Sequence, residues 1–184
     1  MPRILILYST VDGHTRRICE RLHAGCAARG NEVVLCAVDA LEAAPFDVAA
    51  FDTLVIGASI RYGKHRRNVH EFVARHRELL EARACAFFSV NIVARKAQKN
   101  RPETNPYVQK FLRQTAWRPR LVEVFAGKLD YPKYGWLDRQ MIRLIMRITG
   151  GPTDPDTQIT YTDWDKVDAF AARIAAWTVR CPVI

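Results

Sequence analysis

The stretch ILILYSTVDGHTRRI, residues 4–18, decides how the rest of the chain is read. A β-prone apolar run, Ile4 to Tyr8, passes through Ser9, Thr10, Asp12 and Gly13 into residues compatible with a helix from Thr15. An uninterrupted apolar strand followed by a helix is how a β-α-β series begins. The alternation recurs downstream: strands are predicted at Arg3–Tyr8, Glu32–Val38, Thr53–Ala58, Ala84–Val90 and Leu121–Ala126. Helices are predicted at Thr15–Arg29, His65–Glu81, Tyr107–Thr115 and Asp165–Thr178. Runs such as Leu54-Val55-Ile56 imply burial on both strand faces, hence a parallel sheet covered by helices. The expected fold is therefore α/β, a doubly wound five-stranded parallel sheet in the order 2-1-3-4-5, over a single domain spanning residues 1–184. Sheets of this kind bind ligands beyond the carboxyl ends of their strands, where strand order reverses between strands 1 and 3.

Composition narrows the possible partners. With 184 residues, 49% of them hydrophobic, the chain can bury a substantial core. Lys and Arg number 28 against 19 Asp and Glu, and the resulting +9 favours phosphates, carboxylates or anionic headgroups without choosing among them. Cys19, Cys26, Cys36, Cys85 and Cys181 are odd in number and lack C-x-x-C spacing, so reduced thiols are expected rather than disulfides or a metal site. Reduced thiols favour the cytoplasm. Met1-Pro2-Arg3 leads straight into a strand-like run without signal-peptide features, and no apolar run approaches the ~20 residues that cross a bilayer, so any membrane contact is expected to be peripheral.

The end of the first strand admits two uses. Ser9, Thr10, Asp12, Gly13 and Thr15 can make a turn that caps the helix. They can equally cradle a phosphate at the positive end of that helix, with Gly13 allowing close approach. Neither G-x-x-x-x-G-K-[ST] nor G-x-G-x-x-G is present, which favours a monophosphate over a nucleoside triphosphate or dinucleotide. The next loops support the cradle. Ser59, Ile60, Arg61, Tyr62 and Gly63 end strand 3, while Ser89, Val90, Asn91, Ile92, Val93 and Ala94 end strand 4. Such residues offer an apolar wall and backbone polar groups to a flat heteroaromatic ring. A phosphoacceptor receiver of similar topology would need acidic residues where Tyr8-Ser9-Thr10 and Gly57-Ala58-Ser59 stand.

A long insert, residues about 128–158, interrupts the plain alternation before the last helix. Within it a helix is predicted at Leu137–Ile148, carrying Arg139, Arg143 and Arg147 at four-residue spacing beside Met141, Ile142, Leu144, Ile145 and Ile148. Either the helix packs on the domain with its arginines in water, or the stripe meets an anionic partner. Tyr131, Tyr134 and Trp136 precede it, as aromatics do at a headgroup boundary.

The stretches YSTVDGHTRRI, VIGASIRYGKH, FFSVNIVARK, VVLCAV and WRPRLVEVFAGKLDYPKYGWLDRQMIRLIMRITGG together resemble the menaquinone-dependent protoporphyrinogen oxidases of bacterial haem synthesis, a flavodoxin-like family. The resemblance runs from Ile4 to about Trp177, and its distinctive parts are IGASIRYG, SVNIVARK and the insert. It implies FMN held by Ser9, Thr10, Val11, Asp12, Gly13, His14 and Thr15, by Ser59 to Gly63, and by Ser89 to Ala94. Asp12 departs from the usual hydroxyl residue and is expected to turn from the phosphate toward backbone N–H groups at the helix start. Implied too is oxidation of protoporphyrinogen IX in two-electron rounds, with menaquinone or ubiquinone as acceptor, flavin-borne chemistry, no side-chain nucleophile and no metal. Arg95, Tyr131, Trp136, Arg139, Arg143 and Arg147 become candidates for substrate or membrane contact on the cytoplasmic face, in a chain that can self-associate. Two other redox readings share the fold, a quinone reductase using NAD(P)H and a flavodoxin-type electron carrier. A cofactor-free nucleic-acid binder would be colourless and salt-sensitive.

Overall fold

The computed structural model describes residues 1–180, so Cys181 lies outside the described residues. Its central sheet runs β2 (Glu32–Ala37), β1 (Arg3–Ser9), β3 (Thr53–Arg61), β5 (Ala84–Asn91), β6 (Leu121–Ala126), all parallel. This is the expected order once the two-residue strand β4 (Lys64–His65), antiparallel to the end of β3, is counted. Side-chain alternation divides the core into two layers. Leu5, Leu7, Leu54 and Ile56 face α2 (Arg67–Arg75), α3 (Arg77–Ala82) and α4 (Pro106–Thr115) through Val69, Phe72, Leu80, Val108 and Phe111. Ile4, Ile6 and Val55 face α1 (His14–Ala27) and α6 (Trp164–Arg180) through Ile18, Leu22, Phe170 and Ile174. Cys19, Cys26 and Cys85 are buried free thiols, and burial pushes Cys26 up to about 11 and Cys85 up to about 12.

Element ends hold to within two residues except at β3, and the helix after it is broken in two. β3 continues three residues past Ala58 and turns back through β4, because His65 is drawn into the core, where its Nε2 meets Ser89 Oγ at 3.0 Å. The helix predicted at His65–Glu81 consequently begins at Arg67, and it breaks at His76 into α2 and α3.

The insert has a stem of its own: β7 (Lys128–Asp130) pairs antiparallel with β8 (Gln158–Thr160). Between them α5 (Trp136–Thr149) ends at Gly150, which adopts the left-handed conformation usual after a helix. Arg95 Nη2 reaches Thr149 Oγ1 at 2.7 Å and the Thr149 carbonyl oxygen at 3.3 Å, pinning that end of the helix to the domain. A small core of Leu129, Tyr131, Tyr134 and Met146 fills the space beneath. Tyr131 is therefore fully buried and donates to the Pro152 carbonyl at 2.8 Å, while Tyr134 donates to that of Lys128 at 3.2 Å. The expectation that both tyrosines lie at a membrane boundary is corrected: a wholly solvated insert would have had no core, and these rings supply it.

Candidate functional site

A cavity of about 410 Å³ lies above the carboxyl ends of β1, β3 and β5. Thr10, Val11, Asp12, His14 and Thr15 line one end, Ser59 to Gly63 and Val90 to Val93 the sides. Residues that sequence reasoning missed complete it, notably Lys128, Asp130, Tyr134 and Asp138 of the insert, Met141, Ile142 and Ile145 on the under-face of α5, and Tyr107. A signal was available: the apolar residues of α5, from Leu137 through Met141, Ile142, Leu144, Ile145 and Met146 to Ile148, spread over a wider arc than one packed face needs. Ser9, Gly13, Ser89 and Ala94 do not line the cavity. The Ser9 hydroxyl donates to Asn68 Oδ1 at 2.9 Å, Ser89 lies beneath against His65, and the Ala94 N–H is taken by Asn91 Oδ1 at 3.1 Å.

The loop after β1 fits a phosphate. Gly13 has φ +79°, its N–H donates to Thr10 Oγ1 at 3.0 Å, and a Cβ there would meet nothing within 4 Å. Valine at this position would thus disturb the loop by backbone strain rather than by crowding. Helix α1 starts with no acidic residue in its first turn and no side-chain cap. Helix geometry leaves the N–H groups of His14, Thr15 and Arg16 without intrahelical partners. Thr15 Oγ1 and His14 Nδ1 are buried polar atoms with no protein partner, and both residues line the cavity. Leaving such atoms unpaired costs roughly 1–3 kcal/mol each, and a bound anion's oxygen would accept from the Thr15 hydroxyl.

Asp12 does not cap the helix. Its carboxylate lies 3.3 Å from Arg61 Nη1, because Arg61 at the end of the extended β3 projects across the cavity mouth. The other arm of the same guanidinium meets Asp138 of α5, which also accepts from the Tyr62 hydroxyl. One arginine therefore joins the phosphate loop, the β3–β4 turn and the insert.

His14 sits in a defined relay. Its Nε2 is 2.6 Å from Thr162 Oγ1, whose proton goes to the Ala126 carbonyl at 2.6 Å, so Nε2 carries the hydrogen and Nδ1 the lone pair. Burial first, then Arg17 and Lys128, lowers His14 to about 4. Burial, with His70 nearby, lowers His65 to about 3. Below the ordinary value of 6.5 the unfolded chain binds protons that the folded chain refuses, so both residues make stability fall as pH drops from 6.5 toward 4. At about 1.4 kcal/mol per unit, His14 alone accounts for roughly 2–3 kcal/mol of that loss. Urea unfolding of the apoprotein at pH 7 and pH 4.5 should show it, and His14→Gln should flatten the slope. A stability that is level across this range contradicts the assignment.

The candidates for substrate or membrane contact, Arg95, Tyr131, Trp136, Arg139, Arg143 and Arg147, lie outside the cavity lining. Arg139 folds back on the Tyr134 carbonyl at 3.4 Å and Arg143 is half-buried, leaving Arg147 as the exposed member of the expected cationic stripe. Most of what α5 presents outward is apolar: Trp136, Leu137, Met141, Leu144 and Ile148 are exposed beside Gln140 and Arg147, as are Val11 and Tyr62 at the cavity rim.

A hydroxyl-lined helix start beneath a roofed cavity, at the switch point of a doubly wound sheet, defines a flavodoxin-domain protein, and the flavodoxin domain model matches residues 5–156. Oxidised flavodoxin 1 of Bacillus cereus superposes with TM-score 0.54 at 11% identity, covering 95% of this chain and 97% of that one. A WrbA-like flavodoxin of Agrobacterium tumefaciens gives 0.54 at 13%, covering 98% and 99%. The chain belongs, within this class, to the family of the curated protoporphyrinogen IX dehydrogenases (quinone). It is 44% identical to that of Escherichia coli K12 over 96% of both chains, and 44% identical to that of Leishmania major over 98% of this chain and 78% of the other.

Proposed function

We propose that this chain carries out FMN-dependent oxidation of protoporphyrinogen IX to protoporphyrin IX, passing electrons to menaquinone or ubiquinone while bound peripherally to the cytoplasmic membrane face. The observation that carries the membrane part is the continuity between cavity and surface: Val11, Tyr62 and Met141 line the cavity and are themselves exposed beside Leu137, Leu144 and Ile148. An apolar mouth of that kind suits a quinone dissolved in lipid, and a helix with one face outward can lie in the interface plane. The family relatives named above supply the substrates.

Thr10, Thr15 and the first N–H groups of α1, that of His14 included, are the groups to hold the FMN phosphate. Ile60 and the Asn91–Val93 segment flank the space left for its ring. FMN, when bound, supplies the two-electron redox chemistry. The chain orients the tetrapyrrole beneath α5 and excludes water through Met141, Ile142 and Ile145. An anaerobic assay of purified holoprotein tests the reading. Protoporphyrinogen should be consumed with a quinone as acceptor, and quinone reduction by NAD(P)H without protoporphyrinogen turnover would replace it with a reductase.

A further inference from the structure

We infer that Arg61 and Tyr62 form a receptor for one propionate carboxylate of the tetrapyrrole, and that Asp138 occupies this receptor as an internal surrogate while α5 roofs the cavity. The inference rests on the tetrapyrrole substrate just proposed. Its first support is the way Asp138 is held. Arg61 Nη2 donates to one carboxylate oxygen and the Tyr62 hydroxyl to the other, so two donors grip both oxygens of a single carboxylate at the cavity wall.

The second support is backbone strain at Tyr62. Strands β3 and β4 are joined by the two-residue turn Tyr62-Gly63, between paired Arg61 and Lys64, with φ +51° and +74°. Both central residues of a type I′ turn need positive φ, and asparagine followed by glycine is the favoured solution. A bulky tyrosine in that conformation is an outlier, and outliers kept in place concentrate at ligand sites. Here the Arg61 guanidinium lies 5.5 Å from the Tyr62 ring centroid and the hydroxyl reaches Asp138, which shows what the tyrosine supplies that asparagine would not.

Charge shows why the surrogate must leave. Arg61 already faces both Asp12 and Asp138, so an arriving carboxylate would meet an excess of negative charge unless it took the place of one of them. Asp12 is the more distant partner and belongs to the phosphate loop. Asp138 stands in the first turn of α5, where the helix N-terminus stabilises a carboxylate released to water. Exchange of Asp138 for a propionate conserves charge at Arg61 and frees α5 to move away as the tetrapyrrole enters.

The test uses FMN-loaded protein and two fluorescent probes, protoporphyrin IX and its dimethyl ester, which differ in their carboxylates. Asp138→Ala should tighten diacid binding about 5-fold or more, and Tyr62→Asn should weaken it about 10-fold, with the ester little affected by either. Tyr62→Asn should also raise the Tm, because it relieves the turn. Equal effects on diacid and ester, or none on the diacid, would overturn the receptor while leaving the function intact. Failure of wild-type holoprotein to bind either probe or to oxidise protoporphyrinogen would remove both.

Discussion

Replacing Gly57 with alanine is expected to destabilise the protein by about 3 kcal/mol or more, through overpacking alone. Gly57 lies in the middle of β3, paired with Tyr8 on one side and Phe88 on the other. Its backbone is ordinary extended strand, so alanine meets no conformational objection. A Cβ there would, however, stand 2.2 Å from Cζ of Phe88 and under 3 Å from both its Cε atoms. That ring cannot withdraw easily, since Phe125 and Phe170 pack edge-on against it at 5.3 and 6.2 Å between centroids. For a chain of this size the Tm should fall by roughly 6–12 °C. Flavin affinity should fall with it, because the segment after Phe88 forms a side of the cavity. Gly30→Ala is the control: φ there is +83° with nothing within 4 Å, so it tests strain without a clash and should cost only about 1 kcal/mol. A change of less than about 2 °C at Gly57 would mean that β3 and β5 are not packed as described.

The second large effect concerns the outer face of α5. Leu137, Leu144 and Ile148 are 72, 58 and 76% exposed and lie outside the cavity lining. Changing all three to glutamine should reduce partitioning onto phosphatidylglycerol/phosphatidylethanolamine vesicles by on the order of 100-fold. This corresponds to about 1 kcal/mol lost per side chain, below the 1.5–3 kcal/mol of complete burial because only part of each side chain enters the interface. Retention of FMN absorbance would show that the roof survives. Turnover with a water-soluble quinone should persist while turnover with a vesicle-borne quinone drops. Undiminished vesicle binding by the triple variant would end the membrane reading of this face. The arginine stripe is the poorer target: Arg139 Nε is buried and Arg143 half-buried, so charge reversal there would damage the insert's own packing.

How far the sequence reached depended on whether a signal was local. The parallel strands were legible because Leu54-Val55-Ile56 and Ala86-Phe87-Phe88 are continuous apolar runs, and burial on both faces leaves few other arrangements. The loop at the start of α1 was legible because its hydroxyls, glycine and helix start are adjacent in the chain. Asp12 was not, since its partner Arg61 lies 49 residues away and no local rule reports a cross-cavity pair. The same holds for His14, whose tautomer is set by Thr162, 148 residues on.

The insert marks the boundary most sharply. Its helix was visible in the spacing of apolar residues from Met141 to Ile148, but spacing alone assigned the arginines outward and the tyrosines to a surface. Folding the insert onto the domain revised that assignment, burying Tyr131, Tyr134 and Met146 and leaving leucines and an isoleucine in the open. Taken alone, the amino-acid order determined which segments become the five parallel strands and in what order they lie, because these follow from periodicity and from neighbours along the chain. Tertiary structure decided which side of α5 forms the cavity roof and which carboxylate fills the Arg61–Tyr62 site, because both depend on surfaces that meet only after the chain has doubled back on itself.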